Sequence, residues 1–159
     1  MSQNRFLISH RGNLNGPQPS KENSTDYINK AIESGYDVEI DVWLINNKWH
    51  LGHDNPTYEV KYNFLFDSRF WLHAKNGEAF DKLLKDKNYD FNVFWHTTED
   101  WVLTSKRFIW TYPGKQLYPE SVCVLPEHSW VGDLTKCHAV CTDFVKEFPE
   151  QFEEEYWIN

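Results

Sequence analysis

The stretch Asp37-Val38-Glu39-Ile40-Asp41-Val42 decides how the rest of the chain is read. Successive side chains of a strand point to opposite faces, so Val38, Ile40 and Val42 share one face and Glu39 and Asp41 share the other. The apolar face needs cover, and the segment upstream can supply it. Over residues 24–34, Tyr27, Ile28, Ala31 and Ile32 recur at helical spacing. Ser24 or Thr25 can cap the start, Asp26 sits at the positive end of the helix dipole, and Gly35 suits the residue after the last turn. Before that helix stands a short apolar run, Phe6-Leu7-Ile8-Ser9, which completes a strand–helix–strand unit.

Working outward, the same alternation continues. Apolar runs predict strands over residues 36–44, 70–74, 91–95, 108–111, 122–125 and 139–142, with a weaker one at Trp130-Val131. Helical spacing returns over 78–84 (Ala79, Phe80, Leu83, Leu84), for about two turns over 99–105, and over 144–156, where Pro149 interrupts or starts the helix. Strands alternating with helices imply parallel pairing and an α/β fold. The later crossovers are too short for full helices: residues 114–121 contain Pro119 and no apolar stripe. No linker or repeat divides the chain, so residues 1–159 read as one domain.

Composition narrows the function. The chain has 159 residues, 40% hydrophobic and 17% aromatic, which is not the make-up of a disordered segment. Lys plus Arg is 16 and Asp plus Glu is 24, so the net charge is 16 − 24 = −8. That balance argues against nucleic acid or an anionic membrane as partner, since both require a basic footprint, but leaves room for a small anionic substrate. No run of 18 apolar residues is present to span a membrane, and the N-terminus lacks a secretory hydrophobic region. Cys123, Cys137 and Cys141 form an odd, low count, read as thiols in a reducing compartment and hence a cytoplasmic protein. Cys137, His138 and Cys141 lack the four-ligand pattern of a structural zinc site and are expected to be core thiols.

Chemistry-bearing residues gather at the predicted strand ends. His10-Arg11-Gly12 follows the first strand, at the end where parallel α/β proteins bind ligands. Glu39 and Asp41, side by side, face either solvent or a closed interior. In an interior they repel and are costly to desolvate, and a divalent cation resolves both costs. His53-Asp54 lies beyond Trp49-His50-Leu51-Gly52; the acid either orients the histidine or caps the turn that Pro56 marks. His50 falls on the other strand face and reads as structural. Glu22-Asn23 occupies the loop before the first helix, at the same end as His10.

Taken in order, His10-Arg11-Gly12, Glu22-Asn23-Ser24, the helix ending at Gly35, Glu39-x-Asp41-Val42 and His53-Asp54 resemble the glycerophosphodiester phosphodiesterase family of the phospholipase-C-like phosphodiesterase superfamily. The likeness is dense over residues 7–54; further on, Cys141-Thr142-Asp143 resembles that family's last strand and the start of its final helix. The resemblance implies a TIM-barrel-like (β/α) barrel. Such barrels rarely fall below roughly 200 residues, so at 159 residues this one is expected to be small or truncated, with several outer helices short or missing. It implies His10 and His53 as the acid/base pair, with Arg11 on the phosphate and Glu22 near the metal or substrate hydroxyls; of the two histidines, His10 is expected to act as base and His53 as acid. Glu39 and Asp41 would ligate a divalent metal. Where the family carries an acid, one spacer residue and a lysine, this chain reads His73-Ala74-Lys75. Lys75 then neutralises phosphate and His73 stands in the place of a third acidic ligand. Mg²⁺ or Ca²⁺ suits an all-oxygen set, and a ligating His73 moves the preference toward Mn²⁺ or Zn²⁺.

The expected function is metal-assisted hydrolysis of a small phosphodiester, with water or a neighbouring substrate hydroxyl as nucleophile. The first rival is a weakly active or inactive module on the same scaffold that binds a phosphate or sugar-phosphate. A second is a carbohydrate-binding domain, suggested by 8 Trp and 8 Tyr. Trp71, Trp95 and Trp110 fall inside predicted strands, where packing accounts for them, while His96 and Tyr112 follow strands and can line a mouth.

Overall fold

The computed structural model describes residues 6–129 and 133–148. In chain order it contains β1 (Phe6–His10), α1 (Thr25–Glu33), β2 (Asp37–Ile45), β3 (Lys48–Leu51), β4 (Tyr58–Val60), a 3-10 turn (Tyr62–Phe66), β5 (Phe70–Ala74) and α2 (Gly77–Lys85). There follow β6 (Val93–Phe94), β7 (Trp101–Leu103), β8 (Ile109–Thr111), β9 (Ser121–Val124), a second 3-10 turn (Leu134–Lys136) and β10 (Ala139–Thr142).

Seven strands pair in parallel, in the order β6-β5-β2-β1-β10-β9-β8. Read cyclically, that order follows the chain, broken only between β6 and β8. No ladder joins those two among the described residues. Instead β7 pairs antiparallel with β8, and Ser105 just beyond it bonds to β6: its amide donates to the Val93 carbonyl at 2.9 Å and its hydroxyl accepts from the Val93 amide at 2.9 Å. The result is a mixed α/β protein built on one curled sheet, a partial barrel with two α-helices among the described residues.

β2 holds this arrangement together because its two edges serve three strands. The carbonyls of Glu39 and Asp41 accept from the amides of Arg11 and Gly52, while the Val42 carbonyl accepts from Lys75. Backbone groups two residues apart face the same edge. β1 and the β3 hairpin therefore share one edge of β2, and β5 takes the other. The expected side-chain alternation holds. Val38, Ile40 and Val42 are fully buried against Ile28 and Ala31 of α1 and Ala79 and Leu83 of α2. The opposite face of the sheet encloses Ile8, Trp71, Phe94, Trp110, Val122, Val124, Ala139 and Cys141. Cys123, Cys137 and Val140 pack outside with Leu134 and Phe148, so all three cysteines are core thiols. Strands β9 and β10 are buried at every position, as parallel strands covered on both faces must be.

The structure departs from the expected elements in four places. Residues 99–105 contain the edge strand β7, Trp101–Leu103, rather than a helix. Thr97 and Thr98 donate backbone N–H bonds to the Glu99 carboxylate, which makes a turn there and leaves Trp101 and Leu103 to alternate with Val102 on β8. β2 runs on into a hairpin: Asn46 and Asn47 take φ of 51° and 61°, the two left-handed residues of a tight β-turn, and β3 and β4 follow antiparallel. The expected strand 91–95 is only the two residues of β6. Residues 143–147 form turns, Phe148 is the last described residue, and residues 149–156 of the expected terminal helix, like Trp130-Val131, lie outside the described residues.

Gly12 and Gly35 both adopt left-handed φ, +91° and +92°, but in different surroundings. A Cβ on Gly12 would stand 2.8 Å from Tyr27 Cδ1 and 3.2 Å from the Tyr27 backbone carbon, whereas nothing lies within 4 Å at Gly35. Gly35→Ala should therefore lose about 1 kcal/mol from the backbone alone. Gly12→Ala should lose a further 1–3 kcal/mol, roughly, from overpacking against α1. Urea denaturation checks this; equal losses would mean that α1 does not press on the turn behind His10.

Candidate functional site

Polar side chains converge where β10, β1 and β5 reach their C-terminal ends, beside the middle of β2. The strand register dictates the convergence: His10 is paired with Glu39, and Asp41 with His73. Each buried carboxylate on β2 thus has a histidine beside it on a neighbouring strand.

His10 is buried and its Nδ1 lies 2.7 Å from Asp143 Oδ1. An ionised carboxylate only accepts, so Nδ1 carries the proton and Nε2 is left to face the site, 3.8 Å from Glu39 Oε2. Asp143 also accepts from the Asn13 amide at 2.9 Å, and Asn13 accepts from the Tyr27 hydroxyl at 2.8 Å. Burial pushes His10 toward the neutral form, but the bond to Asp143 and the charge of Glu39 outweigh it and raise its pKa. Burial likewise pushes Asp143 up, and the bonds from His10 and Asn13 pull it below the ordinary carboxylate value.

Arg11 and Asn23 both adopt left-handed backbone conformations, φ 57° and 64°, and the Asn23 amide donates to the Arg11 carbonyl. This close pairing of two turns aims both side chains at β2. Arg11 Nε lies 3.4 Å from Asp41 Oδ2 and its Nη1 3.3 Å from Glu22 Oε1. Asn23 grips Asp41 twice, donating to Oδ2 at 2.8 Å and accepting from the Asp41 amide at 3.0 Å.

From β5, His73 stacks on Phe94 with ring centroids 5.0 Å apart. Its Nε2 donates to the His96 carbonyl at 3.0 Å. Its Nδ1 lies 3.1 Å from Asp41 Oδ1 and 3.7 Å from Glu39 Oε1. Lys75 Nζ is 4.0 Å from Asp41 Oδ1. Burial of Asp41 favours its neutral form, but His73, Arg11 and Lys75 hold it far below the usual carboxylate range. Burial also disfavours the His73 imidazolium, and Asp41 and Glu39 overcome this, raising its pKa to about 9.

The donor set fits a divalent metal. Glu39, Asp41 and His73 each offer a ligand atom within 4.8 Å of the others. Among the described residues, Glu39 Oε2 and Asp41 Oδ1 are buried without a well-formed hydrogen bond, Asp41 Oδ1 having only the ion-pair contacts of His73 and Lys75, which is costly unless a cation faces them. Because Nε2 is committed to a carbonyl, Nδ1 of His73 holds either a proton or a lone pair that a cation must share with two carboxylates. A ligating histidine whose other N–H bonds a backbone carbonyl is the arrangement metal sites favour.

The structure thus joins His10, Arg11, Glu22, Glu39, Asp41, His73 and Lys75 in one network. It does not join His53. That residue follows Gly52 at the same end of the sheet, but its Nδ1 is 2.7 Å from Asp54 Oδ1, both side chains are exposed, and among the described residues no hydrogen bond or ion pair links it to the network. His50 lies partly buried on β3, bonded to the Lys48 carbonyl. Trp71 and Trp110 are interior packing rather than a platform, each 4% exposed. Sequence reasoning missed Asn13, Asn23, Tyr27 and Asp143 as parts of the site, and Glu127, whose Oε1 accepts from the Thr142 hydroxyl and the Asp143 amide. The rule that singled out His10, a polar residue just past a parallel strand, applies equally to Asp143. Asn23 carried a weaker signal, its tolerance of left-handed φ.

Compared with known proteins, the chain matches no family model, no curated protein and no solved structure.

His73 gives a pH test. Its folded pKa lies above the unfolded value near 6.5, so its contribution to stability is complete below that pH and is lost as pH rises through about 9. In chelator-treated samples the stability advantage of wild type over His73→Gln should shrink across that window. An advantage constant from pH 6 to 10 would show that the imidazolium does not pair with Asp41.

Proposed function

We propose that the protein is a metal-assisted phosphodiesterase acting on a small phosphodiester at the mouth of a truncated TIM-barrel-like scaffold, in the manner of the glycerophosphodiester phosphodiesterases that its sequence resembles. One observation carries the reading: two buried carboxylates with unpartnered oxygens meet His10, His73, Arg11 and Lys75 at the ends of adjacent parallel strands. A phosphodiester is an anion with a poor leaving group. Its cleavage needs positive charge on the non-bridging oxygens and positioned proton donors and acceptors.

Glu39, Asp41 and His73 would hold the cation, Mg²⁺ or Ca²⁺ through the carboxylates, with Mn²⁺ or Zn²⁺ favoured as His73 contributes nitrogen. A bound cation supplies charge to neutralise the phosphate and lowers the pKa of a coordinated hydroxyl. The chain's own groups do the rest. Arg11 and Lys75, both mostly buried, present N–H donors to the anionic oxygens as they exchange partners from Asp41 and Glu22. His10, held by Asp143 in one tautomer, offers Nε2 to take a proton from the attacking hydroxyl. His53 is the partner acid in this reading; Asp54 orients it in the same way, and it reaches the leaving oxygen from the solvent side. Three buried thiols accord with a cytoplasmic setting.

The rival reading, an inactive phosphate-binding module, draws on His73: an imidazolium against Asp41 supplies internally part of the charge that a cation would bring. Turnover of bis(p-nitrophenyl) phosphate with Mg²⁺, Ca²⁺, Mn²⁺ and Zn²⁺ separates the two. The enzyme reading expects metal-dependent turnover that drops about a hundredfold or more in His10→Ala and in His53→Ala without unfolding. Wild-type rates in both variants, or no turnover with any metal, would remove it. Calorimetry adds a second expectation: His73→Glu restores an all-oxygen set and should strengthen Mg²⁺ and Ca²⁺ binding. Unchanged affinities would place residue 73 outside the metal site.

A further inference from the structure

The network described above fills the β10-β1-β2-β5 side of the mouth. It accounts for a phosphate but not for the alcohol attached to it. The next two strand ends around the sheet carry His96, two residues past β6, and Tyr112, one residue past β8. Their rings lie with centroids 5.8 Å apart and planes inclined by 32°. The His96 ring is also 6.2 Å from that of His73, and the His96 carbonyl accepts from His73 Nε2 at 3.0 Å. One hydrogen bond therefore separates this aromatic pair from the charged network. Any group esterified to a phosphate at Arg11 and Lys75 that extends toward β6 and β8 meets these rings first.

We infer that His96 and Tyr112 form a subsite for a pyranose sugar, so that the phosphodiester is a sugar phosphodiester; this rests on the phosphodiester reading of the neighbouring network. The chemistry of the pair selects the class. Tyr112 is 45% exposed, so part of its ring is open to a ligand beside His96, and its hydroxyl makes no hydrogen bond with the described residues. His96 donates Nε2–H to the Glu99 carbonyl at 2.8 Å, which leaves Nδ1 as an acceptor. A sugar ring presents C–H groups on its faces and hydroxyls around its rim, and this combination of ring faces flanked by a phenol and an imidazole acceptor answers both. A cationic headgroup would be held by a cage of aromatic faces around it or by an unengaged carboxylate at the rim; His96 and Tyr112, 5.8 Å apart and one of them an imidazole, make no such cage. Glu99 is occupied by the amides and hydroxyl of Thr97 and Thr98 and Asp100 by Lys115 at 3.3 Å. A lipid chain would need a longer apolar surface than two polar-edged rings supply.

The test compares two probes, the methyl phosphodiesters of glucose 1-phosphate and of glycerol 1-phosphate, by calorimetric binding and by ³¹P NMR turnover on the full chain. The inference expects wild type to bind the glucosyl ester about tenfold or more tightly than the glyceryl ester. Tyr112→Ala should erase that ratio, while Tyr112→Phe, which keeps the ring, should retain most of it. Because Tyr112 is half exposed, the variants are expected to fold, and circular dichroism checks this. Equal affinities in wild type, a ratio that survives Tyr112→Ala, or binding of neither probe would overturn the sugar subsite. A Tyr112-dependent preference without turnover of either ester would support it while removing the phosphodiesterase reading. Turnover of both esters with equal kcat/KM and no effect of Tyr112→Ala would do the reverse.

Discussion

Two carboxylates buried side by side on one strand set the terms for this molecule. Glu39 is 1% exposed and Asp41 fully buried, and in such surroundings an uncompensated pair is unstable. Compensation comes from three separate pieces of chain: the end of β1 with the turn after it, the loop before α1 and the end of β5. None of these can reach β2 unless β1 and β5 flank it in the observed register. The charged cluster is thus a reason for the register as well as a product of it, since a slip by one residue would turn both acids toward α1 and α2.

The two sides of the sheet are built differently. The β1-β2-β5 side has long strands, both α-helices and the polar network. The β6-β8 side has strands of two to four residues, crossovers without α-helices among the described residues, and a gap that Ser105 and an antiparallel strand fill. Aromatic contact replaces the missing ladder: Phe94 and Trp110 stack across the interior with centroids 4.4 Å apart, and Trp71 packs against Trp110 and Phe108. Large flat side chains span a space that regular pairing does not close. Economy of chain is concentrated on the side that carries little of the charge.

Much of this was legible residue by residue. The period-two pattern of Asp37 to Val42 separated its faces correctly because Val38, Ile40 and Val42 are uniformly apolar and the intervening residues uniformly acidic. The helical stripe of Tyr27, Ile28, Ala31 and Ile32 ends at Gly35 as composition suggested. Local reasoning failed over residues 99–105. There helix and strand templates both fit a short run, and the choice was made by pairing with β8, a contact with residues 109–111. It also failed to connect Asp143 with His10, which are 133 positions apart and meet only because β10 lies against β1.

What the sequence alone determined, then, is which residues are available and which face of each strand they occupy, because alternation and helical spacing are local properties of the backbone. The tertiary structure decided which of them act together. It bound His10 to Asp143 and Asn23 to Asp41, aimed His73 at both carboxylates, and left His53 turned to Asp54 outside that network. Those choices depend on the order and stagger of strands far apart in the chain, and on the left-handed turns at Arg11 and Asn23 that bring two loops onto one strand. No local pattern encodes a distance between such segments, because it is set by the order and curl of the whole sheet.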